Sequence, residues 1–314
     1  MLYQYIARRL VATIPVMAVV ATFVFLLLRL TTGDPAAIIA GDNATGQQVA
    51  EIRAKLGLDR PVLQQFAIWL GNLARGDLGE SFFFKKRVTD LILDRLEPTA
   101  ALATCTIVLA VLLAVPLGVT AAYRRGTWID RAVMGMSVLG FSVPAFVIGY
   151  LLIYVFAIQF AWLPVQGYQR IADGLGGCLE RLILPSLTLA AIYVALIARI
   201  TRGSVLEVLG ADYVRTARAK GLADLGVLLR HVLRNAAVPI VTVIGLGVAL
   251  LIGGVVVTES VFAIPGLGRL TVDAVLARDY PTVQAVVLLF SLAYVLINLI
   301  VDLTYTVLDP RIRY

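Results

Sequence analysis

The side chains able to do chemistry in this sequence are few and poorly placed for catalysis. There is one histidine, His231, two cysteines, Cys105 and Cys178, and four lysines, none of which follows a glycine. A phosphate-binding loop of the Gly-Lys-Ser/Thr type is therefore absent, and the chain does not hold ATP that way. A multi-ligand metal site of the usual kind has no material, so no cofactor, metal or catalytic residue is expected in this chain. His231 lies in a basic stretch with no serine or cysteine nucleophile at a plausible position, which argues against intramembrane proteolysis and makes it a surface or interface residue. Charge is concentrated instead between Arg199 and Arg234, where Arg199, Arg202, Arg215, Arg218, Lys220, Arg230 and Arg234 accumulate. At roughly 2.5–3.5 kcal/mol per cation at a bilayer centre, such a stretch does not span a membrane. It reads as a cytoplasmic loop, 201–235, either a basic loop obeying the positive-inside rule or a surface built for a partner.

Local signals divide this loop into helix, turn and helix. Asp212 is a plausible N-cap, Tyr213 to Lys220 suits a short helix, and Arg218 and Lys220 fall in its last turn, where cations face the negative end of the dipole. Gly221 stands where a helix needs a left-handed residue after its C-cap. Asp224 is placed to cap a second helix, Leu225 to Val238, with Pro239 leading into the next apolar run. The order of residues resembles the cytoplasmic coupling loop of ABC-importer permeases: Gly221 takes the glycine position and Arg215, Thr216 and Ala217 the Glu-Ala-Ala positions, of which Ala217 alone matches. The string Asp-Tyr-Val-Arg-Thr-Ala-Arg-Ala-Lys-Gly-Leu, with Arg-His-x-Leu-Arg-Asn-Ala after it, is similar to the dipeptide, oligopeptide and nickel permease branch. The proline, Pro239, comes later than in the general pattern.

The elements that carry this loop belong to a membrane. Of 314 residues, 60% are hydrophobic and 15% charged, with mean hydropathy +0.90, a composition of an integral membrane protein. The net charge of +7 points to anionic lipid rather than nucleic acid, because the cations border apolar spans. Six spans are expected, at about 10–30, 99–122, 132–160, 182–200, 236–257 and 282–308, each long enough for about 30 Å of hydrocarbon. The run after Arg8 and Arg9 is too long for a signal peptide. Cations number fourteen in the proposed inside segments (these include Arg311 and Arg313) and four in the two short outside loops, Arg170, Arg181, Arg269 and Arg278, which places both termini in the cytoplasm. The expected organisation is a first span with a long external loop over 1–97, a core of five spans over 98–308, and a cytoplasmic tail over 309–314. Cys105 in a span and Cys178 in an external loop are not expected to pair.

Within the external loop, residues 51–57 and 61–75 are expected to be helical, with Val62, Phe66, Trp69, Leu70 and Leu73 on one face. The loop is either an amphipathic cap on the bilayer or a docking surface for an external binding protein. Leu-Gly-Leu-Asp-Arg-Pro (56–61), Gly-Asp-Leu-Gly-Glu-Ser (76–81) and the endings at 298–305 and 308–314 again look like the peptide-permease branch, so the resemblance spans essentially the whole chain. Ser142 and Pro144 put a proline inside a span, as a packing kink or as a break beside a substrate path. The tract from Val255 to Gly268, with Glu259, Phe262 and Pro265, resembles the family's gate-side segment; by itself Glu259 is only a carboxylate near an interface. Asp302, one turn after Asn298, fits helix packing or an ion pair.

The resemblance implies an all-α polytopic protein with the type I ABC-importer permease architecture, in a bacterial or archaeal plasma (inner) membrane. It implies a second homologous permease, two cytoplasmic ATP-binding subunits that bind ATP and Mg, and an external or periplasmic solute-binding protein. Asp212, Tyr213, Arg215, Ala217, Arg218, Lys220 and Gly221 would couple to the ATPase. Ser142, Pro144, Glu259, Phe262 and Pro265 would line the pathway or its gate. Di- or oligopeptides are the expected cargo, with nickel, glutathione or oligosaccharide as alternatives within the family. A gradient-driven secondary transporter is the rival from another class, but it usually needs midplane carboxylates or repeated halves, and neither is visible.

Overall fold

The computed structural model describes residues 2–30, 35–40, 45–55 and 57–308. Residues 31–34 and the segment with Arg311 and Arg313 lie outside them. The described residues are helical, with no strand and a single isolated bridge, Glu80 to Arg87. The chain forms two compact units, one of Met1–Leu96 with Leu270–Ala293 and the other of Glu97–Arg269 with Tyr294–Tyr314.

The first unit holds α1 (Leu2–Leu30), α2 (Pro35–Ala40), α3 (Gly46–Lys55) and α4 (Val62–Ala74). Pro61 is the N-cap of α4, a place where its missing N–H costs nothing. The predicted helical face is half real: Phe66 and Trp69 meet Phe25 of α1 with ring centroids at 5.0 and 5.5 Å, while Val62 and Leu70 remain exposed. A loop then returns to a buried acid, Asp279, which accepts hydrogen bonds from Ser81 Oγ at 2.5 Å, Thr282 Oγ1 at 2.6 Å and the Phe82 amide at 3.2 Å. Three donors on one buried carboxylate compensate for its removal from water.

The second unit is built on α5 (Val88–Tyr123), α6 (Trp128–Ser142), α7 (Ala145–Leu152, continued as a π-helix over Ile153–Gln159) and α8 (Leu175–Leu209). After α8 come α9 (Asp212–Ala219) and α10 (Asp224–Val227), then a π-helical turn (Leu228–Val232) and α11 (Leu233–Val261). Its core gathers Leu102, Leu189, Tyr193, Ile197, Leu251 and Phe262. Small residues bring the helices close: a Cβ on Gly118 of α5 would fall 2.6 Å from the Ala198 carbonyl oxygen of α8, the kind of approach that membrane helices use in place of a hydrophobic driving force. The last two helices, α12 (Leu267–Leu276) and α13 (Tyr280–Leu308), each contribute to both units.

Four helices among the described residues are long and apolar enough to cross a membrane: Val88–Tyr123, Leu175–Leu209, Asp224–Val261 and Tyr280–Thr304. The expected span over 132–160 is instead two helices bent by 106°. The bend falls at Pro144, whose ring restricts the preceding residue; Val143 is extended at φ −98° and ψ 124°. The apolar part of α1, Val11–Leu26, is shorter. The expected span over 182–200 lies inside the longer α8, which runs through Pro185 and carries Cys178 into the core at 1% exposure; Cys178 is therefore not a loop residue. The separate helix expected over 225–238 is also corrected. Asp224 to Val261 is one continuous run of 38 residues, and Pro239 sits inside it.

Candidate functional site

Two groups of residues in the second unit bear on function. The first is the turn between α9 and α10. Neither acid caps its helix through a side chain: the N-caps are Ala211 and Ala223, and Asp212 and Asp224 occupy the first turns, where negative charge still suits the dipole. Gly221 has φ +78°. Its amide donates to the Arg218 carbonyl at 2.9 Å, and the Leu222 amide donates to that of Ala217 at 3.3 Å, the paired closure of a Schellman turn. Arg218 pairs with Asp224 across the turn at 3.3 Å, and Arg215 with Asp212 at 3.5 Å. Both pairs are exposed, so they order the turn more than they stabilise it.

The helix α9 has two distinct faces. Val214 is fully buried and Ala217 is 6% exposed; they join Val205, Val227, Val232 and Ala236 in a second apolar cluster. Ala217 thus seats α9 on the body of the protein. Asp212, Tyr213, Arg215, Arg218, Lys220 and Gly221 are exposed, and Tyr213, Leu222, Leu225 and Leu229 present large apolar surface beside the cations. Apolar side chains beside cations are a composition shared by many protein interfaces.

The same unit also holds a bidentate ion pair. Arg202 Nε and Nη2 donate to Asp130 Oδ1 and Oδ2 at 2.5 and 2.7 Å, and the Gly126 amide donates to Oδ2 at 3.0 Å. It joins α8 to the first turn of α6, which the Gly126 amide ties back to the preceding loop. Its two members are 72 residues apart, and nothing local announced it.

The second group closes α11. Glu259 is fully buried, not an interfacial carboxylate. Its Oε1 accepts from Thr99 Oγ1 at 2.5 Å and its Oε2 from the Arg269 amide at 3.0 Å, while the Leu267 amide donates to Thr99 Oγ1 at 2.8 Å. Gly268 lets the segment fold back, because a Cβ there would fall 2.5 Å from the Val256 Cα. Phe262 is buried at 1% exposure and Pro265 is exposed; the Gly167 amide donates to the Phe262 carbonyl at 3.0 Å. Tyr168, next in that loop, donates to Glu97 at 2.9 Å; burial and this bond push its phenol above the usual range. Ser142 and Pro144 are exposed at the break between α6 and α7. The gate-side prediction therefore divides into a buried lock, Glu259 and Phe262, and exposed residues, Ser142, Pro144 and Pro265.

Comparison with known proteins agrees with this architecture. Residues 114–314 match the family model of the binding-protein-dependent transport system inner membrane component, and residues 1–103 match the model of its N-terminal region. The chain is 57% identical over 310 residues, 99% of each chain, to a protein of Sinorhizobium fredii (strain NBRC 101917 / NGR234) named as a probable peptide ABC transporter permease, y4tP. It is 46% identical over 311 residues, again 99% of each, to the glutathione transport system permease protein GsiC of Escherichia coli (strain K12). Among solved structures, the MetNI methionine ABC transporter in inward-facing conformations aligns with 70% of this chain and 97% of that one, at 18% identity and TM-score 0.58. An amino acid ABC transporter aligns with 69% and 93%, at 17% identity and TM-score 0.50. At such identity these two speak for the fold alone. With family models over 1–103 and 114–314 and relatives matched over 99% of its length, the chain belongs to the family of multi-pass inner-membrane components of binding-protein-dependent transport systems.

Proposed function

We propose that this chain is the pathway subunit of an ATP-driven importer of short peptides in a bacterial inner membrane. The observation that carries the reading is the two-faced helix α9, with Val214 and Ala217 seated inward and Tyr213, Arg215, Arg218 and Lys220 outward beside the Gly221 turn. In this reading the outward face sits in a groove of a cytoplasmic ATPase subunit. Closure of two such subunits on ATP moves α9, and α8 and α11 follow because the same apolar cluster binds them together. A second homologous permease completes the pathway, and an external binding protein delivers the cargo. Six spans with both termini inside remain the topology that fits the charge distribution.

The peptide assignment rests on the named relatives, one called a peptide and one a glutathione permease; glutathione is itself a small peptide-like molecule. The Glu259–Thr99 lock and Phe262 stand at the gate-side end of α11, and Ser142 and Pro144 at a backbone break of the sort that membrane proteins reserve for cavities. The test is to tag the chain, extract it in mild detergent and identify stoichiometric companions by mass spectrometry. Two ATPase chains and a second permease are the expected result. A homodimer without ATPase would overturn the reading in favour of a gradient-driven carrier.

A further inference from the structure

The second unit has a groove between α5, α6 and α8 that the transport reading leaves without a role. Its volume is about 370 Å³, and Leu113 and Leu117 of α5, Met136 of α6 and Val194 and Ala198 of α8 line it. Ser137 is the only polar side chain of the wall among the described residues, and its hydroxyl already donates to the Val133 carbonyl at 2.9 Å. A polar guest would lose its water there without replacement. The wall suits a hydrocarbon.

Two contacts between α6 and α8 frame the groove. At Gly140 the helices touch, since a Cβ there would fall 2.9 Å from the Ala195 Cβ. About 15 Å earlier along α6, at 1.5 Å per residue, the Asp130–Arg202 pair ties the same two helices. Cations gather at this second end. Arg124 and Arg125 follow the last residue of α5, Arg131 lies in the first turn of α6, and Arg199 follows Ala198 on α8. Each is within about two helical turns of a wall residue in sequence, and all four are exposed. Arg202 is neutralised by Asp130, but none of these four is in an ion pair among the described residues. Trp128, 76% exposed at the start of α6, is the kind of aromatic that membrane proteins place at headgroup level.

We propose that the groove binds an anionic phospholipid of the cytoplasmic leaflet, with one acyl chain along α5, α6 and α8 and the phosphate held by Arg124, Arg125, Arg131 and Arg199. An apolar track that ends at uncompensated cations is complementary to a molecule with a hydrocarbon tail and a negative head. A helix of a partner subunit would cover the same wall yet leave the four cations without counter-charge. The proposal takes from the transport reading only the leaflet, through the cytoplasmic placing of the Gly221 turn, and does not depend on the cargo.

The test is native mass spectrometry of the full chain, with whatever subunits co-purify, extracted in mild detergent and stripped of lipid. It is titrated with phosphatidylglycerol or with phosphatidylethanolamine carrying the same acyl chains. One phosphatidylglycerol per chain is expected, bound about tenfold or more tighter than phosphatidylethanolamine. Arg124→Gln with Arg125→Gln should weaken it about 10–30-fold, at roughly fivefold per cation near a lipid surface. The charge-matched control, Arg230→Gln with Arg234→Gln, should leave it unchanged. Val194→Phe fills the groove and should abolish the preference; Met136→Trp, at a position 60% exposed, does the same from α6 if the first variant folds poorly. Equal binding of the two lipids, equal loss in the arginine pair and its control, or tight binding kept in both groove variants overturns the site. So does a Met136→Cys chain that crosslinks to a second permease and retains no phosphatidylglycerol, which would make the groove a subunit interface. Co-purification of ATPase chains enters none of these outcomes, so this proposal and the transport reading fail separately.

Discussion

Replacing Gly221 tests whether the turn's conformation, rather than its contacts, matters for transport. At φ +78° the residue is left-handed, and an L side chain there costs about 1–2 kcal/mol, more for a β-branched one. No packing penalty is added, because a Cβ at Gly221 would meet nothing within 4 Å. Gly221→Val should therefore lower the population of the closed turn by a factor of about 5–30, while Gly221→Asn, which visits this region readily, should change it little. Val214 and Ala217 still hold the start of α9 in place, so insertion and folding should survive both substitutions. The assay is ATP-dependent peptide uptake in proteoliposomes with the partner subunits, normalised to the amount of permease inserted. Uptake should fall for valine and hold for asparagine. Equal uptake in wild type and Gly221→Val, or an equal loss in both variants, would refute the argument that backbone conformation at this turn governs coupling.

Other substitutions probe the positions that hold the second unit together. Thr99→Val removes a hydroxyl that both donates to Glu259 and accepts from the Leu267 amide; it should cost about 1–3 kcal/mol, seen as a lower midpoint in denaturant titrations in detergent. Gly118→Ala should cost about 1–3 kcal/mol by overpacking α5 against α8, whereas Gly126→Ala, where a Cβ meets nothing but φ is +81°, should act only through backbone strain; thermal unfolding followed by circular dichroism ranks the two. Asp130→Asn should lower the unfolding temperature by leaving Arg202 without its bidentate partner, and the exchange Asp130→Arg with Arg202→Asp should restore part of the loss, a double-mutant cycle that isolates the pair.

The Gly221 turn was legible because each of its signals is local: a glycine after the last cationic turn and an acid three residues on. The inward face of α9 was equally available, since Val214 and Ala217 are three apart and fall on one side of a helix, although the family pattern alone assigned Ala217 to the coupling surface. Glu259 was not legible. Its partner Thr99 lies 160 residues earlier, and no local pattern distinguishes a carboxylate at an interface from one folded under a returning loop. The break at Pro144 was visible as a proline, but the 106° turn was not, since α6 and α7 both pack on α8 and no local pattern announces that. Pro185 and Pro239, with the same local chemistry, pass through unbroken helices. Neighbours that satisfy the freed carbonyls, not the proline itself, decide between the two outcomes.

The unbroken run from Asp224 to Val261 has a mechanical consequence. At about 1.5 Å per residue, its 38 residues make a rod of about 57 Å. One end adjoins the Gly221 turn and the other holds the buried Glu259. Pivoted at its middle, a tilt of about 5° would carry each end through about 2.5 Å, as far as a hydrogen bond is long. Glu259 holds Thr99 and Arg269 at 2.5 and 3.0 Å, so the rod cannot rock by that much unless α5 and the start of α12 travel with it or those bonds break. The π-helical turn Leu228–Val232 departs from regular helix near one end, and Pro239 lies just beyond it. In the proposed importer, whatever bending these two places do not absorb would reach the other end of the rod as a lever stroke.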